Sequence, residues 1–247
     1  MPGSLPKIVG LIACSATVCS AQSNPRFGVG ARASTLGWGV EGAVAVTEKS
    51  NVRAGLNFVG FGRTFNRDGI DYNGQLKMRS IETHYDWFLF RGFRVSPGLL
   101  VYNGNHIVGS VSVPGGRQFT IGGNTYYSNP SDKVNGPFRM DFAKPKLSPI
   151  LTVGAGNLVR REGSRFTVTA EVGVVFQDSP HARLDLQGSV GLTPAGPFFN
   201  VASNPQVQAD LRAEETKINA GTPPYDTLRT LLKTFPVISG GIGFRIK

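Results

Sequence analysis

Along residues 36–46, Leu36, Trp38, Val40, Val44 and Val46 alternate with Gly37, Gly39, Glu41, Ala43 and Ala45. A spacing of two predicts a β-strand with one apolar face and one small or polar face. The alternation recurs through the chain. Val52, Ala54, Leu56 and Phe58 oppose Arg53, Gly55 and Asn57; Ile81, Tyr85, Trp87 and Leu89 oppose Glu82, His84 and Asp86. Phe93, Val95, Leu99 and Val101 oppose Arg94, Ser96 and Gly98, and Leu147, Leu151, Val153 and Ala155 share one face. Phe166, Val168, Val172, Val174 and Phe176 oppose Thr167, Thr169, Glu171 and Gly173, while Leu184, Leu186 and Val190 oppose Arg183, Asp185 and Gln187. A final segment, 235–246, places Ile238, Ile242, Phe244 and Ile246 on one side.

Clear strands fall at 36–46, 52–62, 72–89, 93–112, 145–156, 165–177, 182–191 and 235–246, an even set of eight. Residues 27–33 either extend the first strand through a kink at Ser34-Thr35 or stand alone, and 111–121 reads as a hairpin that projects or adds to the wall. Counting both gives ten strands, with the short turns at 47–51, 90–93 and 177–181 on the periplasmic side. The expected fold is therefore all-β, an antiparallel transmembrane β-barrel of 8 to 10 strands. Composition agrees: 32 glycines, 16 prolines and 16 phenylalanines favour strands and turns over a helix bundle. A mean hydropathy of −0.08 is compatible with a barrel, which exposes only alternate residues to lipid. Beyond the amino-terminal segment no apolar run is long enough for a spanning helix, which needs about 20 residues.

One stretch breaks the period of two. Asn204-Pro205 supplies an N-cap and a first-turn proline, Val207, Leu211 and Ile218 lie near one face, and Gly221 is a stop. A second short helix is expected over Asp226–Lys233, so that 195–234 forms a helical insertion before the last strand, a cap or a lid.

Residues 1–21 read as a secretory signal peptide: Lys7, an apolar stretch from Ile8 to about Cys19, and a small-residue exit Cys19-Ser20-Ala21 before Gln22. Residues 22–247 then form the barrel domain. Leu11-Ile12-Ala13-Cys14 also has the form of a lipoprotein cleavage box. Both cysteines fall within the signal, leaving no disulfide or thiolate metal site in the exported chain. Without residues 1–21 the chain keeps 25 basic and 16 acidic residues. They are dispersed rather than gathered in a nucleic-acid stripe, and lipopolysaccharide or other surface anions are the expected partners.

The polar faces carry charge. Glu41 with Arg53 and Asp86 with Arg94 flank successive hairpin turns, Glu82 shares a face with Asp86, and Glu171 with Arg183 and Asp185 could repeat the arrangement. Side chains nearly fill an eight-stranded barrel, so these charges are expected to pair and plug the interior. A narrow ion path is the alternative, easier with ten strands. Trp87, Phe88, Phe90 and Phe93 crowd one turn, as an aromatic girdle at the membrane–water boundary would.

Catalytic signals are thin. His84, His106 and His181 are the only histidines and none has a metal-ligand spacing, although His84 or His106 near a strand end could serve a lipid hydrolase or acyltransferase. Asn66–Asp71 hints at a calcium loop without its full set of oxygen ligands, and Gly28-x-Gly30 precedes no helix and so is no nucleotide loop. No cofactor or metal is expected.

The segments Thr35-Leu36-Gly37-Trp38-Gly39-Val40-Glu41, Asp68-Gly69-Ile70-Asp71-Tyr72, Asp86-Trp87-Phe88, Tyr102-Asn103-Gly104-Asn105 and the terminal Gly243-Phe244-Arg245 resemble a poorly characterised family of small bacterial outer-membrane β-barrel proteins. The resemblance covers most of the chain after the signal and implies an outer-membrane location and handling by the barrel-assembly machinery. The chain departs from the terminal aromatic usual in such barrels, because Phe244 is followed by Arg245, Ile246 and Lys247. The function expected is a structural or surface-interaction role for a monomeric barrel without enzyme activity. A narrow pore for small solutes is one alternative. A soluble secreted β-sandwich or lectin-like binding module is another, and it would have to bury its outward Leu, Val and Phe positions against a second sheet.

Overall fold

A computed structural model describes residues 26–90, 92–143, 147–160 and 163–246, so the signal-peptide segment and both cysteines lie outside the described residues. In chain order the elements are β1 (Phe27–Ser34), β2 (Gly37–Thr47), β3 (Ser50–Arg67), β4 (Ile70–Phe90), β5 (Phe93–Asn103), β6 (His106–Ser112), β7 (Gln118–Ile121), β8 (Asn124–Ser128), β9 (Asn135–Asp141), β10 (Ser148–Ala155), β11 (Phe166–Phe176), β12 (His181–Leu184), β13 (Ser189–Gly191), β14 (Phe198–Asn200), α1 (Pro205–Ala220), α2 (Asp226–Lys233) and β15 (Thr234–Arg245).

Eight of these strands close into an antiparallel ring, β1-β2-β3-β4-β5-β10-β11-β15 and back to β1. Closure is made by Gly28↔Arg245 through Ser34↔Ser239. The ring leaves no exposed wall edge, which is the condition for strands to cross a membrane. Its polarity is inverted relative to a soluble protein. Outward Val168 is 75% exposed, Ile242 65% and Trp38 64%, whereas inward Arg53 and Glu82 are each 1% exposed. The β-sandwich alternative fails on this geometry: the outward apolar side chains face no second sheet.

At one end of the ring the strands are joined by short turns between β2 and β3 and between β4 and β5; we call this the hairpin end. At the other end β3 and β4 outlast the wall. The Asp68-Gly69 turn that joins them has φ of 53° and 75°, the left-handed pair that a two-residue type I′ hairpin requires. It is a hairpin tip, not a calcium loop. The upper part of β4, Asp71–Lys77, pairs with β6, and β9 and β12 continue the sheet outward. A second sheet, β14-β13-β8-β7, packs with α1 around Val113, Tyr126, Val190, Val207 and Leu211.

The α1 termini follow the sequence. Asn204 Oδ1 accepts from the Gln206 and Val207 amides at 3.0 and 3.1 Å, Pro205 opens the helix, and Gly221 ends it at φ 65°. The helix also covers a sheet edge: the Ala182 and Leu184 amides of β12 donate to Asn219 Oδ1 and Glu215 Oε1, both at 2.7 Å. Buried Asp210 anchors α1, accepting from the Tyr126 hydroxyl at 2.5 Å, Asn124 Nδ2 at 2.7 Å and Gln206 Nε2 at 3.0 Å. The Tyr126 hydrogen bond, more than those of Asn124 and Gln206, holds the Asp210 carboxyl below the usual range, while burial and then this bond push the Tyr126 hydroxyl up to about 12. Because the folded state holds Asp210 ionised more strongly than the unfolded state does, its contribution is complete above the ordinary carboxylate pKa and lost as pH falls through the lowered value. Amide exchange in α1 should therefore accelerate on acidification. Tyr126→Phe should weaken the same helix by about 1.5–3 kcal/mol, and exchange rates insensitive to both changes would remove Asp210 as the anchor.

Several expected strands sit elsewhere. Residues 27–34 form a separate wall strand, and 93–112 divides at Gly104-Asn105 into β5 in the wall and β6 above it. Segment 182–191 is not in the wall, because its apolar alternation is satisfied by packing with α1, with Leu186 6% and Val190 0% exposed. Residues 118–121 pair with β8 in the second sheet, so 111–121 neither forms a hairpin by itself nor joins the wall. The 177–181 connection lies at the end opposite the short turns. Leu36, expected on the apolar outer face, is 1% exposed and turns into the mouth of the ring.

Candidate functional site: the barrel interior

The interior is filled in three layers. Toward the upper domain, Leu36, Met78, Leu100, Ile150, Val175 and Val237 converge from the wall and meet Phe142 and Leu232 from the connections. At the hairpin end, the connection between β10 and β11 folds back into the ring with Leu158 and Val159, 4% and 0% exposed, against Ala43. Gly28 makes room for it: a Cβ there would lie 2.2 Å from the Leu158 carbonyl oxygen. Asn51 Nδ2 donates to Asn157 Oδ1 at 2.8 Å, and an Arg94 guanidinium nitrogen donates to the Gly156 carbonyl, tying this plug to the wall.

Between the apolar layers lies a charge network. Alternation along neighbouring strands turns Arg32 of β1, Glu41 of β2, Arg53 of β3, Glu82, His84 and Asp86 of β4, Arg94 of β5 and Glu171 of β11 to the same enclosed space. Arg53 holds three carboxylates: Glu41 Oε2 at 2.9 Å, Asp86 Oδ2 at 3.1 Å and Glu171 Oε2 at 2.9 Å. Glu171 also receives Arg94 Nη2 at 3.0 Å and Arg32 Nη1 at 3.1 Å. Arg32 reaches Glu82, and its Nε and Nη2 donate to Asn57 Oδ1 at 3.2 and 2.8 Å. Neutral donors complete the carboxylates, with Ser96 Oγ at 2.7 Å from Asp86 Oδ1 and Ser239 Oγ at 3.2 Å from Glu171 Oε1. His84 Nε2 lies 3.2 Å from Glu82 Oε1, within ion-pair reach without hydrogen-bond alignment. Buried charges are tolerated when pairing and hydrogen bonding together replace hydration, and forked guanidiniums suit this because each reaches two or more oxygens.

Glu41, Arg53, Glu82, Asp86, Arg94 and Glu171 thus meet in one cluster. Arg183 and Asp185 do not: both are exposed on or beside β12, outside the ring, because their strand belongs to the upper sheet. Sequence reading missed Arg32, His84 and Asn57 as network members. Arg32 lies on the segment expected either to extend the first strand or to stand alone, and the small residues around it, Gly28, Gly30, Ala31 and Ala33, leave that segment without a marked apolar face.

The aromatic group gathers at the hairpin end. Trp87 and Phe90 are 54% and 66% exposed, and the Phe90 and Phe93 rings stack with centroids 5.2 Å apart. Phe88 departs from the expected girdle: it pairs with inward Arg94 and is half-buried, since its parity is that of Asp86. At the same end Phe166 and Phe244 meet edge to face at 5.1 Å. His106 and His181 lie in the upper sheet and not in the interior, and His106 Nδ1 is 2.7 Å from the Gly104 carbonyl oxygen.

No protein-family model and no curated protein sequence matches the chain. Among solved structures, Acinetobacter baumannii CarO is similar, with a TM-score of 0.53 at 19% identity over 88% of this chain and 96% of that one. Acinetobacter baumannii CarO2 is similar with a TM-score of 0.55 at 17% identity, over 90% of this chain and 100% of that one. These neighbours are outer-membrane β-barrels, and the likeness is one of fold.

Proposed function

We propose that the protein resides in the bacterial outer membrane as a closed barrel whose work is done by the domain it carries outside, in a structural or surface-interaction role without catalysis. The observation that carries this reading is the filled interior: an apolar cap, the network centred on Arg53 and the Leu158–Val159 plug occupy successive levels of the ring. The short turns face the periplasm in this orientation, as in known barrels, and the extended β3–β4 hairpin, the second sheet and α1 stand at the cell surface. The balance of 25 Lys and Arg against 16 Asp and Glu after residue 21 suits contact with anionic lipopolysaccharide. Insertion would depend on the barrel-assembly machinery, and the chain would act as a monomer.

In planar bilayers the wild-type protein should be electrically silent. Conductance that appears only when Glu41→Ala is combined with Arg53→Ala would agree with a charged plug. Stable stepwise conductance in the wild type would overturn the closed reading in favour of a narrow pore.

A further inference from the structure

The short helix α2 carries three leucines in two different surroundings. Leu232 is 4% exposed and packs with Leu36, Val175 and Val237 at the mouth of the ring. Leu228 and Leu231, three residues apart and therefore neighbours on the helix surface, are exposed, Leu231 by half. At about 100° per residue, the three form one continuous apolar stripe. Its inner edge points into the barrel and its outer edge points away over the rim.

The rim beside α2 is low. The β1–β2 connection turns at Ser34–Gly37, while β3 and β4 continue to Arg67 and Ile70. Thr35 at this tip donates its amide to the Ile238 carbonyl at 3.0 Å and its hydroxyl to the Pro236 carbonyl at 2.8 Å. The first turns of β15 are thus level with the top of the wall, and α2 runs directly into them. Leu231 borders an open cleft of about 440 Å³ shared with Asp226, Thr227, Thr230, Thr234 and Pro236. Below it, outward Ile238 is 60% exposed and belongs to the apolar band. The helix is tethered from inside: Gln177 Nε2 donates to the Leu232 carbonyl at 2.5 Å and the Gln177 amide to the Lys233 carbonyl at 2.8 Å.

We infer that α2 is an interfacial lid: Leu228 and Leu231 sink into the acyl boundary of the outer leaflet while Leu232 stoppers the mouth, so that contact with lipid holds the lid shut. The inference rests on the outer-membrane reading above. An amphipathic helix at such a boundary buries its apolar face about 5–10 Å deep, and exposed Leu231 stands above the apolar band of the wall, with Thr234 and Pro236 between it and outward Ile238. Lys233 stands at the end of the helix where anionic headgroups would lie. A second copy of the chain is a poor occupant, because two leucines of an eight-residue helix offer little of the roughly 1,200–2,000 Å² that a specific interface buries.

The test uses the full-length protein refolded into phosphatidylcholine vesicles whose acyl chains are brominated near the headgroup end. One protein carries Trp38→Phe and keeps Trp87 as its sole tryptophan; the other carries Trp38→Phe, Trp87→Phe and Leu231→Trp. Emission from both should be blue-shifted and quenched by bromine. Quenching of Trp87 with water-like, unquenched emission from the Leu231→Trp reporter overturns the lid while leaving the barrel intact. A reporter that is blue-shifted, unquenched and sensitive to the protein-to-lipid ratio overturns it in favour of a second copy. If neither is quenched, the barrel reading fails and the lid with it. For the coupling to the mouth, Val237→Cys is labelled in a Cys14→Ser, Cys19→Ser background. Leu228→Ser with Leu231→Ser should raise the labelling rate about tenfold, the equivalent of ~1.4 kcal/mol, and an unchanged rate would overturn the coupling.

Discussion

Arg53→Ala should destabilise the barrel by about 3–5 kcal/mol, the cost of leaving buried charge without its counter-ion. Arg53 is 1% exposed and meets Glu41, Asp86 and Glu171 at 2.9–3.1 Å, so the truncation removes a partner from three buried carboxylates at once. Only Glu171 keeps guanidinium partners at 3.0–3.1 Å, from Arg94 and Arg32. Glu41 retains Arg32 at 3.6 Å, and Asp86 retains Arg94 at 3.6 Å with the Ser96 hydroxyl. The loss should therefore be partly recovered by adding Glu41→Ala, with a coupling of about 0.5–3 kcal/mol. Arg53→Lys should fall between wild type and alanine, because an ammonium keeps the charge but cannot fork toward several carboxylates. Urea titration of vesicle-embedded protein reads each variant. Additive single losses would mean that Arg53 and Glu41 do not act as a unit.

Why the fold was readable and the domain above it was not comes down to what alternation reports. A period of two says that a strand has two unlike environments; it does not say which apolar environment covers one of them. In β2, β3 and β11 nothing within the described chain covers it, and Trp38, Leu56 and Val168 stay exposed. In 182–191 the same period is met by packing with α1, which buries Leu186 and Val190 and carries Arg183 and Asp185 to the surface. The interior charges Glu41, Arg53, Glu82, Asp86, Arg94 and Glu171 were legible because each lies on a long wall strand with unambiguous parity. Arg32 was hidden by the small residues around it: Gly28, Gly30, Ala31 and Ala33 give β1 little apolar contrast, yet Gly28 and Gly30 are small because the Leu158 plug passes beside them. Helix α1 was visible because caps are local chemistry, Asn204 and Pro205 at one end and Gly221 at the other. What α1 packs against is long-range, and no local signal carries it.

Leu56→Arg should cost about 2–4 kcal/mol if the outward band is immersed in lipid, since a guanidinium there loses its hydration and has no counter-ion within the wall. Leu56 is half exposed and flanked on neighbouring strands by outward Val40 and Ile81, with outward Phe58 above it and Val52 below. Thr64 supplies the comparison. It is exposed on the same face of the same strand but above the ring, where its partner Asn73 of β4 pairs with β6 and the wall has ended. Thr64→Arg should therefore cost only about 0–1 kcal/mol, as expected outside the hydrocarbon. On the inner face, Thr169→Ser exchanges one hydroxyl for another and should cost about 1 kcal/mol or less, the value of one buried methyl group. Folding free energies from urea titration into vesicles would rank the three. An aqueous barrel would leave arginine hydrated at both Leu56 and Thr64, so equal costs at those two positions would contradict the membrane assignment, whereas a steep fall between them would locate the upper boundary of the lipid between Leu56 and Thr64.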